Sequence, residues 1–548
     1  MSSNIDTWAQ KQDAIRRDDI QDVVTPKRPE LALLTGSCLH TSSSKFDEIT
    51  ISATCTPKPT PTTENLTQLP QTSNICCATT DRLGWRLASG YFAFFMCGWG
   101  DGVTGTILPY FMADYHVSYM MSSLLFAGST LGFVIGTLLL ELLVNSLGRF
   151  DVEREQWSWI PRVFSRSRPH STVAFSTSQA RLLSLLFSSS VHGAFFVMMG
   201  ARGGFGGSFA AYSVAAFARA ILTGTLNAYY AQVRKQSIGY AYGLWSVGGA
   251  ISPIVCQAII SMGVPWHKFY FGSLVLSAFN ATFLSFTFRP TPAEFDSDLR
   301  AAIRETRAHS DEKFWPSNTV STAEELGDQK NTMHHLRTPP NRNTLAMAVR
   351  LPYQWAIGLF ALLYCGCETS TQGFMVSYLL GTRSANPRTV GYVTSGFWAG
   401  IAVKLYAAKI LDTSMHVSIF DYAATYLMTD HDSGQLFRLV GLTMEILIWR
   451  VNSNVGDSVA TAIIGVVFAP IFPGCLTLAN DLLPPEIQMV SMGLISATAS
   501  FGSSLFSFIA GVVSSAKGVN TLVYITVPLA ASVSLLWALF PSKLPSQR

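Results

Sequence analysis

The sequence predicts an all-α membrane protein: twelve spanning helices in two six-helix bundles related by a pseudo-twofold axis. The first reason is a repeat. Shifted by 268 positions without a gap, the stretch Phe94–Phe133 meets the second half at six landmarks: Cys97 falls on Cys365, Gly98 on Gly366, Gly105 on Gly373, Tyr110 on Tyr378, Gly128 on Gly396 and Gly132 on Gly400. The second is composition. Of 548 residues, 49% are hydrophobic and only 13% charged, about half the charge of a soluble domain, and the mean hydropathy is +0.29. The third is a series of windows of roughly 20 apolar residues, each long enough to cross a bilayer. A long repeat built of such helices marks a transporter folded from two similar halves.

Taken in order, residues 1–80 are polar and rich in Thr, Ser and Pro, without apolar periodicity, so they are expected to form a disordered cytosolic tail. No apolar core follows the start, which argues against a cleavable signal peptide. Asn65-Leu66-Thr67 matches a glycosylation sequon by chance if this tail is cytosolic. The first bundle, 81–288, holds spans at 87–110, 120–144, 181–200, 208–231, 238–261 and 268–288. A polar cytosolic loop, 289–351, separates it from the second bundle, 352–540, with spans at 353–380, 389–411, 435–451, 457–481, 488–514 and 519–540. Residues 541–548 form a short tail. With both termini inside, the inner connections carry 21 Lys and Arg and the outer ones six, the sign that the positive-inside rule requires.

Gly and Pro add a second layer. Span five holds Gly248, Gly249 and Pro253, and span ten holds Pro470 and Pro473. Small residues let helices approach closely, and Pro frees carbonyls that a protein interior or hydrated cavity must satisfy. Gly493-Leu494-Ile495-Ser496 in span eleven echoes Gly243-Leu244-Trp245-Ser246 in span five.

Ionisable residues at membrane depth are the candidate site, because an uncompensated charge there costs several kcal/mol. Asp101, in GWGDGVTG, and Glu368, in CGCETSTQG, occupy matching spans of the two halves, offset by one position. Either can serve as a proton or substrate site or as a hydrogen-bonded structural acid. Gln372 follows Glu368 in a polar cluster that suits a hydrated cavity. Arg219 stands in the middle of span four and needs an anion, for which Asp101, Glu368 and a bound solute are the alternatives. Asn227 and Tyr229 lie about two turns further on. Trp99, Tyr110, Trp245 and Tyr378 are candidate cavity aromatics. Glu141 and Lys404 lie near the inner surface, where snorkelling accounts for them, and Asn280 reads as a helix–helix hydrogen bond.

Several functions are disfavoured. The nine Cys show no metal or disulfide spacing. There is no nucleophile elbow and no phosphate-binding loop, and Gly203–Gly207 fits an outer turn rather than a nucleotide site. Basic charge is scattered over loops without interleaved aromatics, which argues against nucleic acid. No enzyme activity, cofactor or metal is expected.

The motifs GWGDGVTGTILPY, LYCGCETSTQGFMVSYLL, NPRTVGYVTSGFWAGIAV, LTMEILIW and GVVFAPIFPGCLTL resemble the major facilitator superfamily, and within it the fungal transporters related to fucose permeases. The resemblance implies a central cavity lined mainly by spans one, four, seven and ten, rocking between inward-open and outward-open states, and solute movement coupled to protons in many members. It makes Asp101 and Glu368 the best cavity candidates and matches Glu445 to a family acid in span nine. Two departures stand out. Asn145-Ser146-Leu147-Gly148-Arg149 replaces the Asp-Arg-x-Gly pattern usual after span two, and the segments 145–180 and 412–434 are longer than family loops.

The expected function is secondary transport of a small polar solute, such as a sugar, together with protons. The chain is expected to be a monomer in a lipid bilayer, in the plasma membrane rather than the vacuole. Export of drug-like or secondary metabolites is the alternative within the class, since aromatic cavity residues also suit apolar solutes. A nutrient sensor on the same scaffold is the alternative outside it.

Overall fold

The repeated glycines set the architecture. Gly128 and Gly132 lie so close to the carbonyls of Phe209 and Ser213 that a Cβ would overlap them, and Gly400 stands in the same way against Ala462, with Gly396 beside it. Gly98 meets the backbone of Trp245, and its repeat partner Gly366 meets the ring of Phe506. Equivalent residues therefore bring equivalent helices together, which is the physical content of the pseudo-twofold axis.

The computed structural model describes residues 80–151, 173–233, 236–314, 343–414, 431–469, 471–472, 475, 479 and 488–539. The tail before residue 80, the C-terminal tail, most of the segments 145–180 and 412–434, Pro470, Pro473 and the side chain of Lys404 lie outside the described residues.

Among the described residues, twelve helices take the places of the twelve expected spans. They are α1 (Thr80–Tyr115), α2 (Tyr119–Leu147), α3 (Thr177–Gly200), α4 (Gly204–Val233), α5 (Gln236–Ser261) and α6 (Lys268–Thr287), then α9 (Pro352–Arg383), α10 (Tyr392–Ser414), α11 (His431–Arg450), α12 (Asn454–Phe468), α13 (Gln488–Lys517) and α14 (Val523–Ala538). Seven of the described helices are long and apolar enough to cross a membrane. Helices α1, α9 and α11 carry the interior acids Asp101, Glu368 and Glu445. Large apolar side chains cover the outer surface of this multi-pass membrane protein, as on α6, where Val275 and Phe286 are 72% and 71% exposed, the pattern of a face that lipid covers.

Helix pairs recur in both halves: α2 with α4 and α10 with α12, α3 with α6 and α11 with α14. The halves meet along α2 against α13 and α5 against α10. All connections on one side of the protein are short, and the long ones lie on the other side, together with the two-residue link 234–235. Every left-handed backbone position among the described residues, namely His116, Arg202, Gly204, Gly263, Ser384 and Gly518, lies at the short side, where a chain reversing in a few residues needs positive φ.

The described residues of the middle loop form helices. Helix α7 (Pro292–Phe314) follows α6 directly, and α8 (Asn343–Arg350) precedes α9. Thr291 and Glu294 form a reciprocal capping box: the Glu294 N–H donates to Thr291 Oγ1 at 3.2 Å and the Thr291 N–H to Glu294 Oε2 at 3.0 Å. Pro292 occupies the first helical turn, where its missing N–H costs nothing. The same carboxylate takes both terminal nitrogens of Arg86, at 2.5 and 2.8 Å. Asp298 accepts from Ser176 Oγ, the Ser178 N–H and Ser178 Oγ at the N-terminus of α3. Phe295 packs on Phe150 and Ala174. These two belong to strands β1 (Arg149–Asp151) and β2 (Val173–Phe175), an antiparallel ribbon in which Asp151 stands opposite Val173.

Candidate functional site

The site is built from α1 outward. Gly98 and Gly102 press α1 against the backbone of α5 at Trp245 and Gly249, and Asp101 forms an ion pair with Arg219 of α4. Arg219 also donates to Ser129 Oγ of α2 at 3.0 Å. Their side chains are 27% and 12% exposed, so the carboxylate is the more open end of the pair. Asp101, rather than Glu368, is the partner of Arg219 in this structure.

In the second half, Glu368 lies beside Tyr364, whose hydroxyl donates to the Phe468 carbonyl at 3.0 Å. No cation among the described residues pairs with Glu368. The two acids thus sit in matching helices with different electrostatic company.

The crossing of α1 over α9 relates the two acids. Gly105 lies on the carbonyl of Gln372, close enough that a Cβ would overlap it, and its repeat partner Gly373 faces the ring of Phe126. Asp101 is four residues from Gly105, and Glu368 four from Gln372. Each acid is therefore about one helical turn, roughly 6 Å, from the crossing, on its long-connection side. Asp101, Glu368 and Gln372 are all partly exposed.

On the other side of the crossing the halves are sealed together. Tyr110 Oη donates to the Pro387 carbonyl at 2.6 Å, and Gln257 Nε2 donates to the same oxygen at 2.9 Å. Thr106 Oγ1 donates to the Gly391 carbonyl at 3.0 Å, and the Met120 N–H donates to Ser515 Oγ at 2.7 Å. Tyr110 is thus a closure residue on the short-connection side.

Other candidates fall elsewhere. Trp99 donates to Ser273 Oγ at 2.8 Å and stacks on Phe269, 5.5 Å between centroids, so it fills the contact between α1 and α6. Tyr378 is buried against Arg383, whose guanidinium pairs with Asp457 at 2.8 Å, which places it inside the second bundle. Asn227 donates to Tyr242 Oη at 3.3 Å, while its buried Oδ1 has no partner among the described residues. Asn280 makes the expected helix–helix bond, to Ser189 Oγ at 3.0 Å. Glu445 is fully buried and accepts from Thr371 at 2.8 Å and Thr526 at 2.7 Å, one hydroxyl on each oxygen. Sequence reading missed Ser129, Tyr364 and Gln257. Only Gln257, a polar residue in an apolar run, carried a signal.

Two similar bundles, repeated in the same sequence order around a shared polar region and closed at one side, define the class: the protein has the fold of major facilitator superfamily transporters. Three solved structures carry that statement. A single-substitution variant of the nucleoside transporter NupG superposes with a TM-score of 0.55 at 13% identity, over 83% of this chain and 100% of that one. The D-xylose-proton symporter gives 0.55 at 11% identity, over 84% and 97%. A variant of the fucose:proton symporter FucP of E. coli gives 0.51 at 12% identity, over 82% and 97%. In sequence, the chain is 23% identical to Bypass of stop codon protein 6 of Saccharomyces cerevisiae over 56% of its own length. It is 27% identical to the glucose/mannose transporter GlcP of Bacillus subtilis over 28% of its length. The matched regions span 58% of the first relative and 34% of the second. No family model matches the chain.

Proposed function

We propose that the protein is a secondary active transporter of a small polar solute, working by alternating access and coupled to protons. One observation carries the reading: Asp101 paired with Arg219, and Glu368 with no cation beside it among the described residues, lie one turn below a crossing that is sealed on the short-connection side. The Lys and Arg bias puts the long connections in the cytosol, so this conformation corresponds to an inward-facing state. A proton on Asp101 removes the countercharge of Arg219 and weakens the bond between α1 and α4. A group that can lose and regain a partner in step with protonation is what coupling requires. Glu368 is the second proton-carrying candidate, and Gln372 and Asn227 supply neutral hydrogen-bonding groups for the solute.

The test is uptake into proteoliposomes under an imposed proton gradient, with radiolabelled D-glucose, D-xylose, L-fucose, uridine and a panel of organic acids. Asp101→Asn and Glu368→Gln are expected to abolish gradient-driven accumulation while membrane insertion is kept. Accumulation unchanged in both variants refutes the coupling. Solute binding without flux in the unaltered protein refutes transport.

A further inference from the structure

Glu445 is the interior acid that the transport reading leaves unused. It is fully buried in the second bundle, between Thr371 of α9 on Oε1 and Thr526 of α14 on Oε2. Cys367, one turn before Thr371, donates its thiol to the Thr526 carbonyl at 3.7 Å, so one turn of α9 is tied to α11 and α14 together. Among the described residues no cation lies beside the carboxyl. The guanidinia of α9 and α11 are engaged elsewhere: Arg383 with Asp457 at 2.8 Å, Arg438 over the Trp537 ring at 3.7 Å and Arg450 over the Trp449 ring at 4.4 Å. Helix α14 carries no charged residue and α12 only Asp457. The Cys367 thiol and the Tyr378 phenol, which donates to the Ile448 carbonyl one turn beyond Glu445, cannot supply positive charge.

Asp457 makes the contrast within the same bundle. It is 1% exposed, nearly as buried as Glu445, and the fold gives it Arg383. A carboxylate at membrane depth with only two neutral hydroxyls for company is far costlier than the neutral acid. A hydroxyl accepts as well as donates, so a protonated Glu445 can give its proton to Thr371 or Thr526 across the same contacts. These contacts hold the turn of α9 that matters for transport. Thr371 follows Glu368 by three residues and precedes Gln372, whose carbonyl lies on Gly105 at the crossing of α1 and α9. We propose that Glu445 is a neutral acid that keeps its proton throughout the transport cycle, and that it is a positioning residue, fixing through Thr371 the turn on which Glu368 and Gln372 sit. The positioning rests on the transport reading, whereas the neutral state does not. Glu368, which is partly exposed, remains the acid of this helix that exchanges protons with the cavity.

The first measurement needs no solute. Infrared difference spectra between the unaltered protein and Glu445→Gln, in lipid at neutral pH, are expected to show the C=O stretch of a protonated carboxyl that is missing from the variant. A carboxylate band in its place overturns the proposal. The second is uptake of labelled D-glucose, D-xylose, L-fucose or uridine into proteoliposomes over a series of pH values. Gln offers one acceptor and one donor to the two hydroxyls, so Glu445→Gln should leave KM and the pH profile within about twofold of the unaltered protein, less than one lost hydrogen bond. Glu445→Leu breaks both contacts and should raise KM about threefold or more, move the midpoint of the pH profile and change the maximal rate less. Thr371→Val, which leaves the Thr526 contact in place, should act in the same direction and serves if the Leu variant does not fold. Loss of gradient-driven accumulation in Glu445→Gln would make this acid a proton carrier and overturn the proposal. An unmoved KM and pH profile in Thr371→Val would overturn the positioning. If the unaltered protein takes up none of the four probes, the transport reading falls for this solute class and takes the positioning with it, while the infrared result still decides the neutral state.

Discussion

Replacing Asp101 with Asn leaves the Arg219 guanidinium at membrane depth with Ser129 as its remaining described hydrogen-bond partner. Removing one partner of a fully buried ion pair costs about 3–5 kcal/mol, because the other charge stays buried. Here the pair is 12% and 27% exposed, so water reaches the carboxylate end, and we expect a loss of about 2 kcal/mol. Arg219→Gln should cost a similar amount for the converse reason. The double variant Asp101→Asn/Arg219→Gln carries neither charge and should recover most of the loss, giving a coupling of about 2 kcal/mol in a double-mutant cycle. The assay is unfolding of the four proteins in the same detergent, with transport measured in parallel. A coupling below about 0.5 kcal/mol, the range of exposed pairs, would refute the argument that this pair holds α1 to α4.

Burial works to raise Glu294, but hydrogen bonds from Arg86 and from the Thr291 N–H outweigh it and hold the group at about 2, below its ordinary 4.5. Its contribution is therefore complete above pH 4.5 and lost as pH falls toward 2. At full weight the difference is about 3 kcal/mol, and screening at this edge reduces it to about 1–2 kcal/mol. Glu294→Gln should accordingly speed amide exchange in the first turns of α7 about 5- to 30-fold at neutral pH, and unchanged exchange would remove Arg86–Glu294 as the latch of that helix. Gly132→Leu and Gly400→Leu should each abolish folded yield by separating α2 from α4 and α10 from α12, while Gly206→Ala, with nothing within 4 Å of its Cβ position, should be neutral; normal yield of the two Leu variants would contradict the packing. Tyr110→Phe combined with Gln257→Leu removes two donors from the Pro387 carbonyl and should increase labelling of a cysteine placed at Thr106 from the short-connection side; unaltered labelling would show that these bonds do not hold the seal.

Much of this architecture is legible in the sequence because helix packing in a membrane depends on small residues at fixed spacing. Gly98, Gly128, Gly132 and their partners 268 positions on do equivalent work in the two halves. The site is legible at the level of depth: the cost of burying a charge marks Asp101, Glu368 and Arg219. Which way a side chain turns was not legible, since a buried helix is apolar all round and its periodicity fades. Trp99 and Tyr378 therefore read as cavity residues but pack against α6 and α11. Helix α7 was missed although Thr291-Pro292-Ala293-Glu294 spells a capping box, because the charged segment that follows reads as loop when apolar content is the guide. The β1–β2 ribbon has only three residues per strand, too few for alternation to register.

The central claim is that protons and solute move together through the region between the bundles. It is tested most directly with a pH electrode, by adding a solute the protein exchanges to one side of lightly buffered proteoliposomes without any imposed gradient. The account predicts a solute-dependent rise in external pH that stops when Asp101 is replaced by Asn. Solute entry with no movement of protons, or the same proton movement in the Asn variant, would contradict it.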